Sequence, residues 1–199
     1  MAIIIEHDKR KHEILQKSLD VFVDEGYEDA TFQKIADRCG ITRTTLYIYF
    51  KNKHEIFLGS IKELLSSLEI ALNKIVSDDN PSSEKALRDF FDKIIDECQN
   101  NTKLFSVLLN YLLQLKKTGV DTEERVRRRV IRMRHHINTI VISGIQNGEF
   151  KQISVKDINE LLYSMIESAI FKMTVLGVKD ISTIKESISL AIDGIVIEK

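Results

Sequence analysis

Proline occurs once in the 199 residues, glycine eight times and tryptophan not at all. Tight turns and sheet corners consume glycine and proline, whereas helix interiors exclude them. This scarcity excludes an all-β fold and predicts a chain that is almost wholly helical. The two cysteines, Cys39 and Cys98, lie far apart and neither sits in a CxxC pair. That argues against a disulfide framework and a zinc site, and fits a reducing cytoplasm. No apolar stretch approaches the roughly 18 residues that span a bilayer, so no membrane association is expected. Ile3, Ile4 and Ile5 precede the charged His7–Lys11 segment, the reverse of a signal peptide, so no export is expected either. Neither sign of charge prevails, with 29 Lys plus Arg against 30 Asp plus Glu, and the 43% hydrophobic content suffices for one domain or two small ones.

Catalytic signatures are missing as well. There is no GxGxxG, GxxxxGK[ST] or GxSxG, and the five histidines (7, 12, 54, 135 and 136) lack HExxH spacing. His135 and His136 are adjacent, so on a helix they diverge by about 100° and cannot readily share a metal. The expectation is a protein that is not an enzyme and has no cofactor and no metal.

What the chain does contain is helical periodicity. Ile14, Leu15, Leu19, Phe22 and Val23 form one stripe between Lys9 and Glu25, with Gly26 placed to end it. Thr31 can cap a second helix in which Phe32, Ile35, Ala36 and Cys39 share a face, ended by Gly40. Thr42 can cap a third over Arg43–Lys51, with Leu46 and Phe50 as a buried pair and Thr44, Tyr47, Ile48 and Lys51 facing away. A longer pattern runs from Lys53 to about Val76, ending in the turn residues Ser77–Ser82. Five more helices are predicted over residues 83–99, 102–117, 122–147, 154–176 and 182–197, punctuated by Gly119, Gly148 and Gly177. The expected plan is all-α with about nine helices: a head over residues 1–53 and a larger body over 54–199, with the helix 54–76 connecting them.

Two short helices joined through Cys39, Gly40 and Ile41, backed by a longer first helix, have the dimensions of a helix-turn-helix unit. The outward face of the third helix carries suitable chemistry. Arg43 offers a bidentate fork for guanine, and Thr44 and Thr45 suit phosphate oxygen or the thymine methyl. Tyr47 and Tyr49 can donate to phosphates or pack half-buried, and Lys51 and Lys53 add charge at the start of the next helix. An outward Ile48 is wasteful on an ordinary solvated helix. The head as a whole is neutral, with nine basic and nine acidic residues in 1–53, so its basic groups must cluster on one face.

Residues 32–57, FQKIADRCGITRTTLYIYFKNKHEIF, resemble the DNA-binding signature of the TetR/AcrR family of bacterial transcriptional regulators, and Phe22, Gly26 and Tyr27 fit its first helix. The resemblance is confined to the N-terminal part of the chain. It implies a cytoplasmic, ligand-responsive regulator that binds a pseudo-palindromic double-stranded operator as a homodimer, most simply a repressor released by a small apolar or amphipathic molecule. Carried over by position, it makes Gln33, Arg43 and Thr44 base readers and Thr31, Thr45, Tyr47, Tyr49 and Lys53 phosphate contacts, with Thr42 and Lys51 beside them. Thr44 departs from the family pattern, which often has Gly, Ala or Pro there.

In the body, the eighth helix carries an apolar band from Ile158 to Leu176 and the ninth another from Ile184 to Val196. Both bands need cover on two sides. In the family these helices pair with their copies, which makes Leu162, Ile166, Ile170, Met173, Ile188, Ile192 and Ile195 expected dimer-interface residues. The residues between Phe90 and Leu115 supply more apolar surface than one stripe uses. The family places an effector cavity there, with Phe91, Phe105, Asn110, Tyr111, Gln114, Met133, His136, Tyr163 and Glu167 as candidate lining. The run Arg125, Arg127, Arg128, Arg129, Arg132 and Arg134 is either a solvated face paired with carboxylates or a seat for an anionic ligand. A protein-binding scaffold without DNA binding is the alternative reading of the whole chain.

Overall fold

Helix boundaries follow the capping chemistry of the sequence. The computed structural model describes residues 2–77, 82–117 and 123–198, and the side chains of all of these except 2–5, 117 and 123–126. Among the described residues are nine helices: α1 (Ala2–Asp29), α2 (Phe32–Cys39), α3 (Arg43–Tyr49), α4 (Lys53–Ser77), α5 (Ser83–Asn100), α6 (Thr102–Lys117), α7 (Glu123–Gln146), α8 (Val155–Thr174) and α9 (Ser182–Asp193). Residues 78–81 of the expected turn, Gly119 and the side chain of Arg125 lie outside the described residues.

Most boundaries fall within two residues of expectation, and the differences at α1, α3 and α9 have a visible cause. The first helix starts at Ala2 rather than Lys9, and Gly26, at φ 80° and ψ 169°, breaks its helical path before a last turn to Asp29. The recognition helix ends at Tyr49 rather than Lys51, because Phe50 takes an extended conformation (φ −143°, ψ 137°) and buries its ring. The ninth helix stops at Asp193 instead of Ile197. Past Gly194 the chain turns at Ile195, and Val196 makes an isolated antiparallel bridge with Phe150 in the α7–α8 link: Lys151 N–H donates to Ile195 O at 2.8 Å, and Ile197 N–H donates to Glu149 O at 2.9 Å.

Packing divides the chain into two compact units: Met1–Ser67 with Val107–Tyr111, and Leu68–Ser106 with Leu112–Lys199. Both α4 and α6 therefore contribute to each. In the first unit, Ile14, Phe22, Ile35, Ala36, Leu46, Ile56 and Phe57 are buried. The backbones of α1 and α4 approach closely: a Cβ on Gly59 would lie 2.7 Å from a Leu15 methyl, and the Ser60 hydroxyl donates to Leu15 O at 2.7 Å.

In the second unit the core joins Leu68 and Leu72 of α4 to Phe90, Phe91, Ile94 and Ile95 of α5, with Ile137 and Val141 of α7 and the inner faces of α8 and α9. Arg88 of α5 binds Glu84, Ser189 and Asp193, fastening the end of α9. A functional division at residue 53, with 54–76 as a connector, is a separate matter from this packing and stays a proposal.

Candidate nucleic-acid interface and effector body

Thr31 and Thr42 set the two short helices of the head. Each has an extended backbone and a side-chain oxygen that accepts from the main chain three residues on, Lys34 N–H at 3.2 Å and Thr45 N–H at 3.1 Å. Between them Gly40 sits at φ 67°, where an L side chain is strained, and the Gly40 and Ile41 N–H groups return to Asp37 O and Ala36 O. Leu46 and Phe50 then anchor α3 inward, which leaves Arg43, Thr44, Tyr47 and Ile48 exposed.

The exposed face is organised. Tyr47 stacks on Phe32 with ring centroids 4.5 Å apart, Arg43 lies 5.7 Å above the Tyr47 ring, and its Nη2 donates to the Tyr47 hydroxyl at 3.3 Å. Phe32, Tyr47 and Arg43 thus form a layer that holds the guanidinium before any ligand arrives. Spacing places Phe32 on the buried face; it is half-buried, and this stacking role has no separate signal in the sequence. Tyr49 is likewise half-buried and stacks on His7 of α1 at 4.7 Å.

Electrostatics explains how a neutral head can present a basic face. Asp20, Asp24 and Glu25 of α1 are engaged by Arg38 and Lys34 of α2. No carboxylate pairs with Arg43 or the Lys51 ammonium among the described residues, so positive charge is concentrated at α3. Two expected contacts are partly committed elsewhere. Gln33 donates to Asp37 at 2.7 Å, and Lys53 donates to Tyr27 O at 2.6 Å and Glu28 O at 2.9 Å, with its ammonium 4.6 Å from the Tyr27 ring centroid. One Lys53 proton is left for a phosphate. Thr31, Thr42 and Thr44 are exposed and Thr45 is half-buried, its hydroxyl 2.8 Å from that of Thr42.

The effector candidates do not come together as one group. Asn110, Gln114 and Glu167 are exposed. Tyr111 is buried within the first unit, its ring 4.6 Å from Tyr27 and 4.7 Å from Phe57. Spacing could not reveal this, because α6 changes neighbours along its length. Phe91, Phe105, Met133, His136 and Tyr163 do belong to the second unit, where Phe91 is core and Phe105, Met133 and His136 are half-buried. Burial, and then the charge of His135, lowers the His136 pKa; burial, and then the charge of Glu167, raises that of Tyr163. Along α6, Phe105, Leu108, Leu109, Leu112 and Leu115 are only half-covered.

Much of the arginine run is paired. Arg129 and Arg132 both reach Glu69 Oε1, at 3.0 and 3.2 Å, and Arg134 reaches Glu160 at 2.6 Å while lying over the Tyr163 ring. Arg127 and Arg128 are exposed.

The expected dimer residues lie inside the protomer. Leu162, Ile166, Met173, Ile188, Ile192 and Ile195 are buried in the protomer's own core, and Ile170 is half-buried against it, so they have little surface to offer a partner. The apolar bands are wide because α8 packs against α5, α7 and α9 within one chain. The outward stripe of α8 is instead Leu161, Ser164, Ser168, Phe171 and Val175, at alternating three- and four-residue spacing, and Leu190 projects from α9. That spacing was visible in the sequence, but the serines disguised it.

Comparison with known proteins adds the following. The family model described as "Bacterial regulatory proteins, tetR family" matches residues 14–59. The fatty acid metabolism regulator protein of Bacillus subtilis is 22% identical over 159 residues, covering 79% of this chain and 80% of its own. A TetR transcription regulator from Haloarcula marismortui superposes with a TM-score of 0.82 at 20% identity, over 96% of this chain and all of the other. The transcriptional regulator FadR of Bacillus subtilis, solved in complex with stearoyl-CoA, gives a TM-score of 0.68 at 21% identity, over 92% and 97% of the two chains. No described helix is long and apolar enough to cross a membrane.

Proposed function

Because residues 14–59 match the tetR family of bacterial regulatory proteins, we propose that this chain is a DNA-binding, ligand-responsive regulator of that family, a homodimeric repressor released from its operator by an amphipathic molecule with an acyl chain and an anionic head. The observation that carries the DNA reading is the prearranged Phe32–Tyr47–Arg43 layer on a recognition helix flanked by Lys51. A face that holds a guanidinium in place beside a lysine suits the major groove of DNA. In a dimer two such helices read half-sites about one helical turn or somewhat more apart. Arg43, Thr44 and Gln33 read bases; Thr31, Thr42, Thr45, Tyr47, Tyr49, Lys51 and Lys53 hold phosphates. The protein works in the cytoplasm, where the chromosome is.

The effector class rests on the half-covered Phe105 and Leu112 of α6 in the second unit, on the exposed Arg127, and on likeness to a regulator crystallised with stearoyl-CoA. Within the second unit we assign Phe105, Met133 and His136 to its lining, with Phe91 and Tyr163 behind them. Dimerisation is assigned to the outward stripe of α8 and to Leu190 of α9.

Selection of duplexes from a random pool tests the DNA reading. The expected result is a pseudo-palindrome bound with a steep loss of affinity as salt rises, and an Arg43→Ala variant that relaxes preference at one position per half-site at a cost of about 1–3 kcal/mol. Failure to enrich any duplex overturns it. Titration of the complex with stearoyl-CoA and with coenzyme A alone then tests the effector: release by the first and not the second is expected, and release by neither overturns the acyl assignment.

A further inference from the structure

We propose that Ile48, together with the methyl of Thr44, reads the 5-methyl group of a thymine in each operator half-site, so that the protein recognises an apolar feature of the major groove as well as guanine edges. This rests on the DNA-binding reading above.

Ile48 is 69% exposed on a seven-residue helix whose other apolar residue, Leu46, is fully buried. Thr44 and Ile48 are four residues apart and therefore stand one above the other on the same ridge. Arg43 and Tyr47 form the neighbouring ridge, where the guanidinium stacks against the ring. The exposed surface of α3 thus has two adjacent strips, one cationic and aromatic, the other aliphatic. An isolated exposed isoleucine needs no explanation. This one lies on the face placed toward DNA, next to the fixed Arg43 and one turn before Lys51, where a solvent-facing position favours a polar residue.

In the major groove the base pairs are distinguished by hydrogen-bond acceptors, hydrogen-bond donors and the thymine methyl, and of these only the methyl is apolar. Isoleucine has no donor or acceptor to satisfy any of the others, and a donor or acceptor on a base edge buried beneath it would be left unpaired. The occupant that its chemistry accepts is therefore a methyl. The same argument sets the scale: burying one methyl-sized group is worth about a fourfold change in affinity, and about fifteenfold when both half-sites contribute.

The test uses the duplex selected by the full-length protein, with each thymine in turn replaced symmetrically by deoxyuridine, which removes only the methyl. At one thymine per half-site the wild type should bind about fifteenfold more weakly, whereas an Ile48→Ala variant, already weakened, should lose much less at that same position. Ile48 is exposed, so the variant should keep its circular dichroism spectrum and melting temperature. If the selected duplex binds but no deoxyuridine replacement weakens it, or if Ile48→Ala loses as much as the wild type, the methyl-reading assignment is overturned while the DNA-binding reading stands. If no duplex is selected, both fall.

Discussion

The Tyr111 hydroxyl and His54 Nδ1 share a hydrogen bond of 2.6 Å, which ties a residue of α6 into the unit that holds the recognition helix. Tyr111 is 3% exposed, and its ring packs against Tyr27 and Phe57. Next to His54 in the chain, Lys53 fastens the end of α1 through Tyr27 O and Glu28 O. One cluster therefore joins α1, the start of α4 and the middle of α6.

A Tyr111→Phe variant keeps the ring packing and loses only the hydroxyl. Its unfolding free energy should fall by about 1 kcal/mol in denaturant titration. If the bond belongs to the operator-binding form, less effector is needed for release, by up to about fivefold for the same free energy. An unchanged denaturation midpoint would show that the bond contributes nothing.

The recognition helix has only seven residues, too few to be stable by itself. Thr42 supplies its cap, and Thr42→Ala should destabilise the protein by about 1 kcal/mol and weaken operator binding, while Thr42→Ser should restore both. Equal stability of all three proteins would remove the cap from the account.

Local signals carried the head well. Thr31, Gly40 and Thr42 each act within a few residues of themselves, so the sequence marks the two short helices to within two residues of where they lie. The end of α9 was not legible, because what stops it is a pairing between Ile195–Ile197 and residues near Phe150, far away in the chain. Apolar width misled in α8 for a similar reason: periodicity reports that Leu162 and Ile166 are covered, not whether α5 or a second copy covers them. The Tyr111 environment is non-local in the same way, since nothing near it in sequence names Tyr27 or Phe57 as its neighbours.

His136 predicts a pH effect. Its ring lies edge-on to Phe90, and burial, reinforced by His135, holds its pKa below the ordinary histidine value of about 6.5. Between the two values the unfolded chain binds the proton and the folded one does not, so stability rises with pH there. His136 therefore contributes its full share above the ordinary value and loses it as pH falls through the lowered one. The favourable charge of Glu69 and the unfavourable one of Arg132 enter as smaller influences. Denaturation measured at about pH 7.5 and about pH 5.5 should show a smaller acid loss for His136→Gln than for the wild type. An identical loss in both would assign the acid sensitivity to other groups.

Self-association is the sharpest test of the proposed interface. Phe171 on α8 is 53% exposed and Leu190 on α9 73%, so a carboxylate at either position is solvated in the single chain and should leave its fold intact. In a dimer built on that face the same carboxylate is desolvated without a partner, at a cost of several kcal/mol. Phe171→Glu and Leu190→Glu should therefore sediment as folded monomers at micromolar concentration. Because a monomer engages only one half-site at a time, binding to the full operator should weaken about a hundredfold or more. Ile166→Glu should behave differently: that side chain is 1% exposed in the core of the protomer, so the charge acts on folding itself and the variant should unfold rather than dissociate. Folded dimers in both exposed-site variants would move the interface away from α8 and α9, whereas a folded monomer from Ile166→Glu would restore the buried residues to it.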